Sequence, residues 1–176
     1  MLAAATDAKP GNVEQKTQPK LIDIMSSNSD SEIFSSRILN FPVEIVYEAF
    51  ANPTHLKNWW GPNGFSNTIH EFDLRPGGKW VLTMHGPEIG NYENSSVFTT
   101  VLPFKLVAWK RNSKPLFDME IAFEKLEESK TQISFRMIFE TIEECWKIKN
   151  FAGPKNEENF DRLEKEIMNI NNSSYK

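Results

Sequence analysis

The residues in this chain whose types could do chemistry are three histidines, one cysteine and a few adjacent carboxylates. His55, His70 and His85 have no spacing to one another, to Cys145 or to a carboxylate that would complete a metal-binding set. The pairs Glu127-Glu128, Glu143-Glu144 and Glu157-Glu158 are sequence neighbours, and neighbours on a helix or strand point in different directions. They read as solvated surface charge, not as an acid and a base aimed at one substrate. Gly77-Gly78 follows Arg75-Pro76 and precedes a strand pattern instead of a helix, so it reads as a turn and lacks the amide cradle of a phosphate loop. Cys145 beside Trp146 has no patterned histidine partner and reads as a small buried hydrophobe. His55 falls in a loop or helix start, and His85 falls on the face opposite Trp80. His70 is in phase with Phe72 on the apolar side of its strand. It is either a rim histidine satisfied by hydrogen bonds or a polar group that orients a ligand. No catalytic residue, metal or cofactor is assigned.

The aromatic and methionine side chains carry more. Phe, Trp and Tyr make up 12% of a chain whose hydrophobic total is 39%, so apolar surface is concentrated in large rings. Such rings either fill a core or wall a cavity. Trp80, Met84, Phe117, Met119, Phe135, Met137 and Phe139 converge on one face of the expected sheet. Flexible, polarizable thioethers among rings suit a wall that adapts to apolar guests, although ordinary core packing uses the same residues. With Trp59, Trp60, Phe65, His70, Phe72 and Leu82 they form the candidate ligand pocket.

These side chains are positioned by a regular succession of elements. Ile33–Asn40 reads as a strand ended by Phe41-Pro42. Val43, Val46, Tyr47 and Phe50 then lie on one helical face. Asn52-Pro53-Thr54 breaks that helix, and Thr54 can cap a second, short one running to about Trp59. Six strands follow. Four alternate cleanly: the run around Thr68–Leu74, Trp80–His85, Phe117–Glu124 and Gln132–Glu140. Two, Ser95–Leu102 and Lys105–Arg111, have ambiguous phase. The end is helical, with a short first piece over Thr141–Lys149, an interruption at Gly153-Pro154, and a long piece from Asn156. In that last piece Phe160, Leu163, Ile167 and Ile170 form one stripe, with Glu158–Arg162 and Asp161–Lys165 as i,i+4 pairs on the other side. Short turns between consecutive strands predict an antiparallel meander, and its twist curls it around the terminal helix. The expectation is an α+β domain over residues 32–172.

The remaining numbers mostly exclude. The chain has 176 residues, 20 Lys+Arg against 24 Asp+Glu, and a formal charge of −4. Nucleic acid and anionic membrane need a basic footprint and are not expected partners. No run of about 18 apolar residues occurs. A single cysteine allows no internal disulfide and fits a reducing compartment, so the cytoplasm is the expected location. Residues 1–31 are polar and unpatterned and read as a disordered or tag-like tail. Leu21–Met25 is the stretch there that could order, and Leu2–Ala5 is too short for a signal peptide.

The sequence also resembles a known family. Trp59-Trp60-Gly61-Pro62-Asn63-Gly64-Phe65 and Phe72-Asp73-Leu74-Arg75-Pro76-Gly77-Gly78-Lys79-Trp80 resemble the bacterial proteins related to the C-terminal domain of the activator of the 90-kDa heat-shock chaperone's ATPase. These belong to the START/SRPBCC superfamily of helix-grip folds. Met84-His85-Gly86-Pro87, Asn94–Phe98, Thr131 and Phe160-Asp161-Arg162-Leu163 match as well, so the resemblance spans about Ile33 to Ile170. It departs at Ile89, where glycine is common, at Thr100, and in a shorter connection at Pro103-Phe104-Lys105. The resemblance implies a curved sheet of about seven strands around a long helix, with two short helices after the first strand. It further implies binding of a small apolar or amphipathic molecule between sheet and helix. A co-chaperone-like contact with another protein, through the short helices and the Gly61–Gly64 loop, is the alternative. A cyclase or dehydratase is the third reading, and it would need His70, Tyr92 or a pocket carboxylate as acid or base.

Overall fold

The computed structural model describes residues 30–87 and 90–173. Most of the expected tail, including Leu21–Met25, lies outside the described residues, as does Ile89. The elements run β1 (Glu32–Leu39), α1 (Val43–Ala51), α2 (Pro53–Trp59), β2 (Ser66–Phe72), β3 (Lys79–His85), β4 (Asn91–Leu102), β5 (Leu106–Arg111), β6 (Asp118–Glu127), β7 (Lys130–Ile138) and α3 (Ile142–Ser173). The strands form one antiparallel sheet in the order β1-β7-β6-β5-β4-β3-β2. This is the expected α+β helix-grip arrangement: a curved seven-stranded meander, a long terminal helix, and two short helices after the first strand.

Alternation along the strands divides the sheet into two faces. The inner face carries Trp80 and Leu82 of β3, Phe98 of β4, Val107 and Trp109 of β5, Met119, Ile121 and Phe123 of β6, and Ile133 and Phe135 of β7. Phe50 of α1 lies against this face, stacked on Trp109 at 5.9 Å between centroids and edge-on to Trp80 at the same distance. Helix α3 adds Phe160, Leu163 and Ile167, all fully buried. Its main contacts are with β1, α1 and α2. The helix therefore closes the sheet along one edge and leaves the middle strands β3–β6 partly uncovered.

Four local expectations are corrected. Helix α2 is capped not by Thr54 but by Asn52, whose side-chain oxygen accepts from the Thr54 amide at 3.0 Å, with Pro53 in the first turn. Helix α3 runs unbroken through Gly153-Pro154. The proline removes one backbone donor, but both halves of the helix are anchored. Cys145 and Ala152 pack on Ile33 and Phe139, while Phe160, Leu163 and Ile167 pack in the main core. The expected pairs Glu158–Arg162 and Asp161–Lys165 are replaced by contacts with other elements: Glu158 with Lys155, Asp161 with Arg37 of β1, and Arg162 with backbone carbonyls. Tertiary partners outcompete exposed helix pairs, which contribute only a few tenths of a kcal/mol.

The fourth correction concerns β2. Its register with β3 shifts between Ile69 and Glu71, so Ile69 faces Leu82 and Phe72 faces Trp80 while His70 is the additional residue of a β-bulge. Simple alternation places His70 beside Phe72, and the bulge turns it to the outer face. There its Nε2 lies 2.7 Å from the Thr83 hydroxyl, which donates to Glu93 at 3.0 Å. Next to it, His85 is half-buried between Thr68 and Asn91.

Candidate functional site

A cavity of about 170 Å³ opens where α3 does not cover the middle strands. Of the expected pocket residues, Trp60, Trp80, Leu82, Met84, Phe117, Met119, Phe135 and Met137 line it. The others are placed elsewhere. Trp59 is fully buried beneath, its indole nitrogen donating to the Ala49 carbonyl at 2.7 Å. Phe72 packs in the core against Phe50, Trp80 and Phe98. Phe65 lies against Tyr92 at the rim. Phe139 belongs to the smaller cluster around Ile33 and Cys145, and His70 is on the outer face. The two adjacent tryptophans thus divide their work, with Trp59 as core and Trp60 as cavity wall.

The cavity mouth is built by a loop tied to α3. Gly61 has φ +94°, a conformation that favours glycine, and a Cβ there would also displace the Met84 methyl, 2.5 Å away. The Gly61 amide donates to Asn159 Oδ1 at 3.1 Å. Arg162 donates to the carbonyls of Gly61, Pro62, Asn58 and Phe65 at 2.7–2.8 Å. Burial pushes its guanidinium somewhat below the ordinary arginine range. Glu158 accepts from the Asn63 amide at 3.0 Å and from Lys155. These bonds, the one to Lys155 foremost, hold its carboxyl below the usual range. A second turn, at residues 73–78, needs glycine for close approach: a Cβ on Gly78 would collide with the Asp73 carbonyl oxygen. Asp73 and Arg75 pair there at 2.8 Å, largely in solvent.

The polar part of the lining is not in the expected set. Gly61, Asn94, Ser96, Trp109, Arg111, Asn156 and Asn159 complete it. Trp80 of β3, Ser96 of β4 and Arg111 of β5 are cross-strand neighbours in one row. Arg111 donates through Nε to Ser113 and through Nη2 to the Lys114 carbonyl, and its guanidinium lies 5.3 Å from the Phe117 ring centre. Burial pushes it down to about 10, which leaves it charged at neutral pH. The signal for this row was present in the sequence: Arg111 is two residues from Trp109 and shares its face. It is hidden because β5 opens on an unbroken apolar run, Leu106–Trp109, that shows no alternation, and β4 carries a register shift between Phe98 and Thr100. No Asp, Glu or His is among the described residues lining the cavity.

Residues 40–167 match the family Activator of Hsp90 ATPase homolog 1-like protein. The chain belongs to this family. Solved structures agree on the fold. A Nitrosomonas europaea protein is similar at 22% identity over 82% of this chain and 98% of its own, with a TM-score of 0.75. An Arthrobacter aurescens protein is similar at 18% identity, 80% and 87% coverage and a TM-score of 0.72. The AHSA1 protein from Silicibacter pomeroyi is similar at 17% identity, 78% and 97% coverage and a TM-score of 0.62. No curated protein matches. Among the described residues no helix is long and apolar enough to cross a membrane.

Proposed function

We propose that this member of the Activator of Hsp90 ATPase homolog 1-like family is a cytoplasmic single-domain binder, over residues 32–172, of a small apolar or amphipathic molecule held between sheet and α3. The observation that carries this reading is the cavity itself, walled by three tryptophans, two phenylalanines and three methionines. Its size bounds the guest. Ordinary small-molecule sites occupy about 300–1,000 Å³, whereas a dry cavity near 150 Å³ takes benzene. A volume of 170 Å³ therefore suits one ring or a short branched chain. A ring-sized body buries roughly 200 Å², giving about 5 kcal/mol at about 25 cal/mol per Å². Association costs at least about 4 kcal/mol, which leaves about 1 kcal/mol, or up to about 5 kcal/mol at the curvature-corrected coefficient of about 45 cal/mol per Å², so purely apolar guests bind no more tightly than about 0.2 mM.

Titration of the full chain with toluene, followed by protein NMR, tests this reading. Saturable shifts of residues on β3, β5 and β7 are expected. A Met137→Trp variant that fills the cavity and still melts cooperatively should bind at least tenfold more weakly. Absence of binding across a broad set of one-ring apolar compounds sinks the proposal.

The protein-contact alternative needs exposed aromatics at the short helices and the Gly61–Gly64 loop. Trp59 is buried and Trp60 and Phe65 are partly covered, so that support is missing there. The most exposed large rings, Trp146 and Phe151 at 66% and 70%, are instead on the first half of α3. The third reading loses its best acid or base to the outer face, and Tyr92 stands 55% exposed at the rim.

A further inference from the structure

We propose that the guest is a small organic carboxylate, its anionic group held by Arg111 and its body by the ring and thioether wall. This rests on the cavity-binding reading and adds the ligand's charge and polar anchor.

The first ground is electrostatic. Arg111 brings a full positive charge to the cavity, and its side chain meets only neutral groups: the Ser113 carbonyl and hydroxyl, the Lys114 carbonyl and the Phe117 face. It pairs with no carboxylate among the described residues. The other arginine set against the inner face of the sheet, Arg37, has two, Glu157 and Asp161. A half-buried charge without a counter-ion is costly unless something supplies one. The lining supplies none, since it contains no Asp or Glu. Both N–H groups on Arg111 Nη1 lack an acceptor among the described residues, leaving that edge of the fork open to a planar oxyanion.

The second ground is the row in which Arg111 stands. Ser96, 4% exposed, is its cross-strand neighbour, and its hydroxyl bonds to no other described residue. Trp80 follows on the next strand, and its indole N–H is buried without an acceptor among the described residues. Cross-strand neighbours on one face stand about 5 Å apart. Two donors, the Ser96 hydroxyl and Arg111 Nη1, thus stand at the cavity without a counterpart among the described residues, beside the enclosed Trp80 N–H. A carboxylate offers two oxygens with lone pairs for such donors. A neutral hydrocarbon would meet neither of them. On β6 and β7 of the same inner face, Met119, Phe135 and Met137 accept the apolar body. Arg111 and Phe117 also line an adjoining groove that carries Lys110 together with Asp118 and Glu140, so the anionic end of the guest stops at Arg111, short of those carboxylates, and its ring lies toward the core.

The probes are benzoate and its neutral, similarly sized counterpart benzyl alcohol, titrated into the full chain by protein NMR. The wild-type protein should bind benzoate at least tenfold more tightly than benzyl alcohol. Arg111→Gln should bring the two within threefold while shifting benzyl alcohol less than threefold. Arg111→Lys, which keeps the charge and loses the fork, should retain an intermediate preference. Benzyl alcohol binding as well as or better than benzoate overturns the carboxylate assignment and leaves the cavity reading standing. A preference unchanged in Arg111→Gln overturns the anchor. Binding of neither probe overturns both readings. The wild-type comparison decides the matter even if a variant fails to fold.

Discussion

Arg162 shows how one side chain can set the geometry of a site that it does not line. Its two terminal nitrogens reach four carbonyls in the segment from Asn58 to Phe65, one before Trp60 and three after it. Each bond to a charged donor contributes about 1.5–3 kcal/mol at most, and carbonyls left buried without a donor cost a further share. Lysine presents three donors from a single point and cannot span acceptors laid out along a loop. Arg162→Lys should therefore destabilise the protein by about 2–3 kcal/mol. It should also release Trp60, red-shifting tryptophan emission in the still-folded protein. Unchanged emission and melting would show that Asn159 and Glu158 suffice to hold the loop. The motif Phe160-Asp161-Arg162-Leu163 was visible in the sequence, but i,i+4 spacing assigned Arg162 to Glu158. Helical spacing is a local argument, and it is blind to a loop a hundred residues away.

The elements were legible wherever a single periodicity governs, and the failures have identifiable causes. β3, β6 and β7 each carry one wet and one buried face, so their phases place Trp80, Met119 and Phe135 inside. β2 breaks the period with a bulge after Ile69, which no alternation rule can anticipate from Thr68-Ile69-His70-Glu71, and this is why His70 moved outward. β5 is apolar on both sides, with Ala108 against the outer row and Trp109 in the core. Its phase was unreadable, and so the Trp80–Ser96–Arg111 row was missed. Residue propensity divides the terminal helix at Gly153-Pro154, and tertiary anchoring on both sides overrides it in α3. The penalty is still present in the folded state. Pro154→Ala should restore the missing backbone donor and stabilise the protein by about 1–3 kcal/mol. That raises the melting temperature by roughly 2–4 °C per kcal/mol for a domain of this size. A lower melting temperature would mean that the proline sets a bend on which the packing of Ala152 and Phe160 depends.

At the scale of the whole molecule, the cavity is stability left unused. Empty apolar volume costs about 24 cal/mol per Å³, so 170 Å³ corresponds to at most about 4 kcal/mol, less where water enters at the open end. The rest of the interior is filled densely by rings, as in the contacts of Phe50 with Trp80 and Trp109, so the sequence does not lack residues able to fill space. Yet it places serine, the smallest side chain of the row, between a tryptophan and an arginine. A packing defect and a binding site predict different outcomes when that serine is enlarged. Ser96→Val adds methyl groups to the void on a strand that favours β-branching and removes a donor. Melting should show a gain of about 0.5–1 kcal/mol, while benzoate affinity should fall at least fivefold. Stability and binding then move in opposite directions through one side chain. Loss of stability in Ser96→Val would show instead that the space beside Trp80 is already occupied by the native packing, leaving no room for a guest.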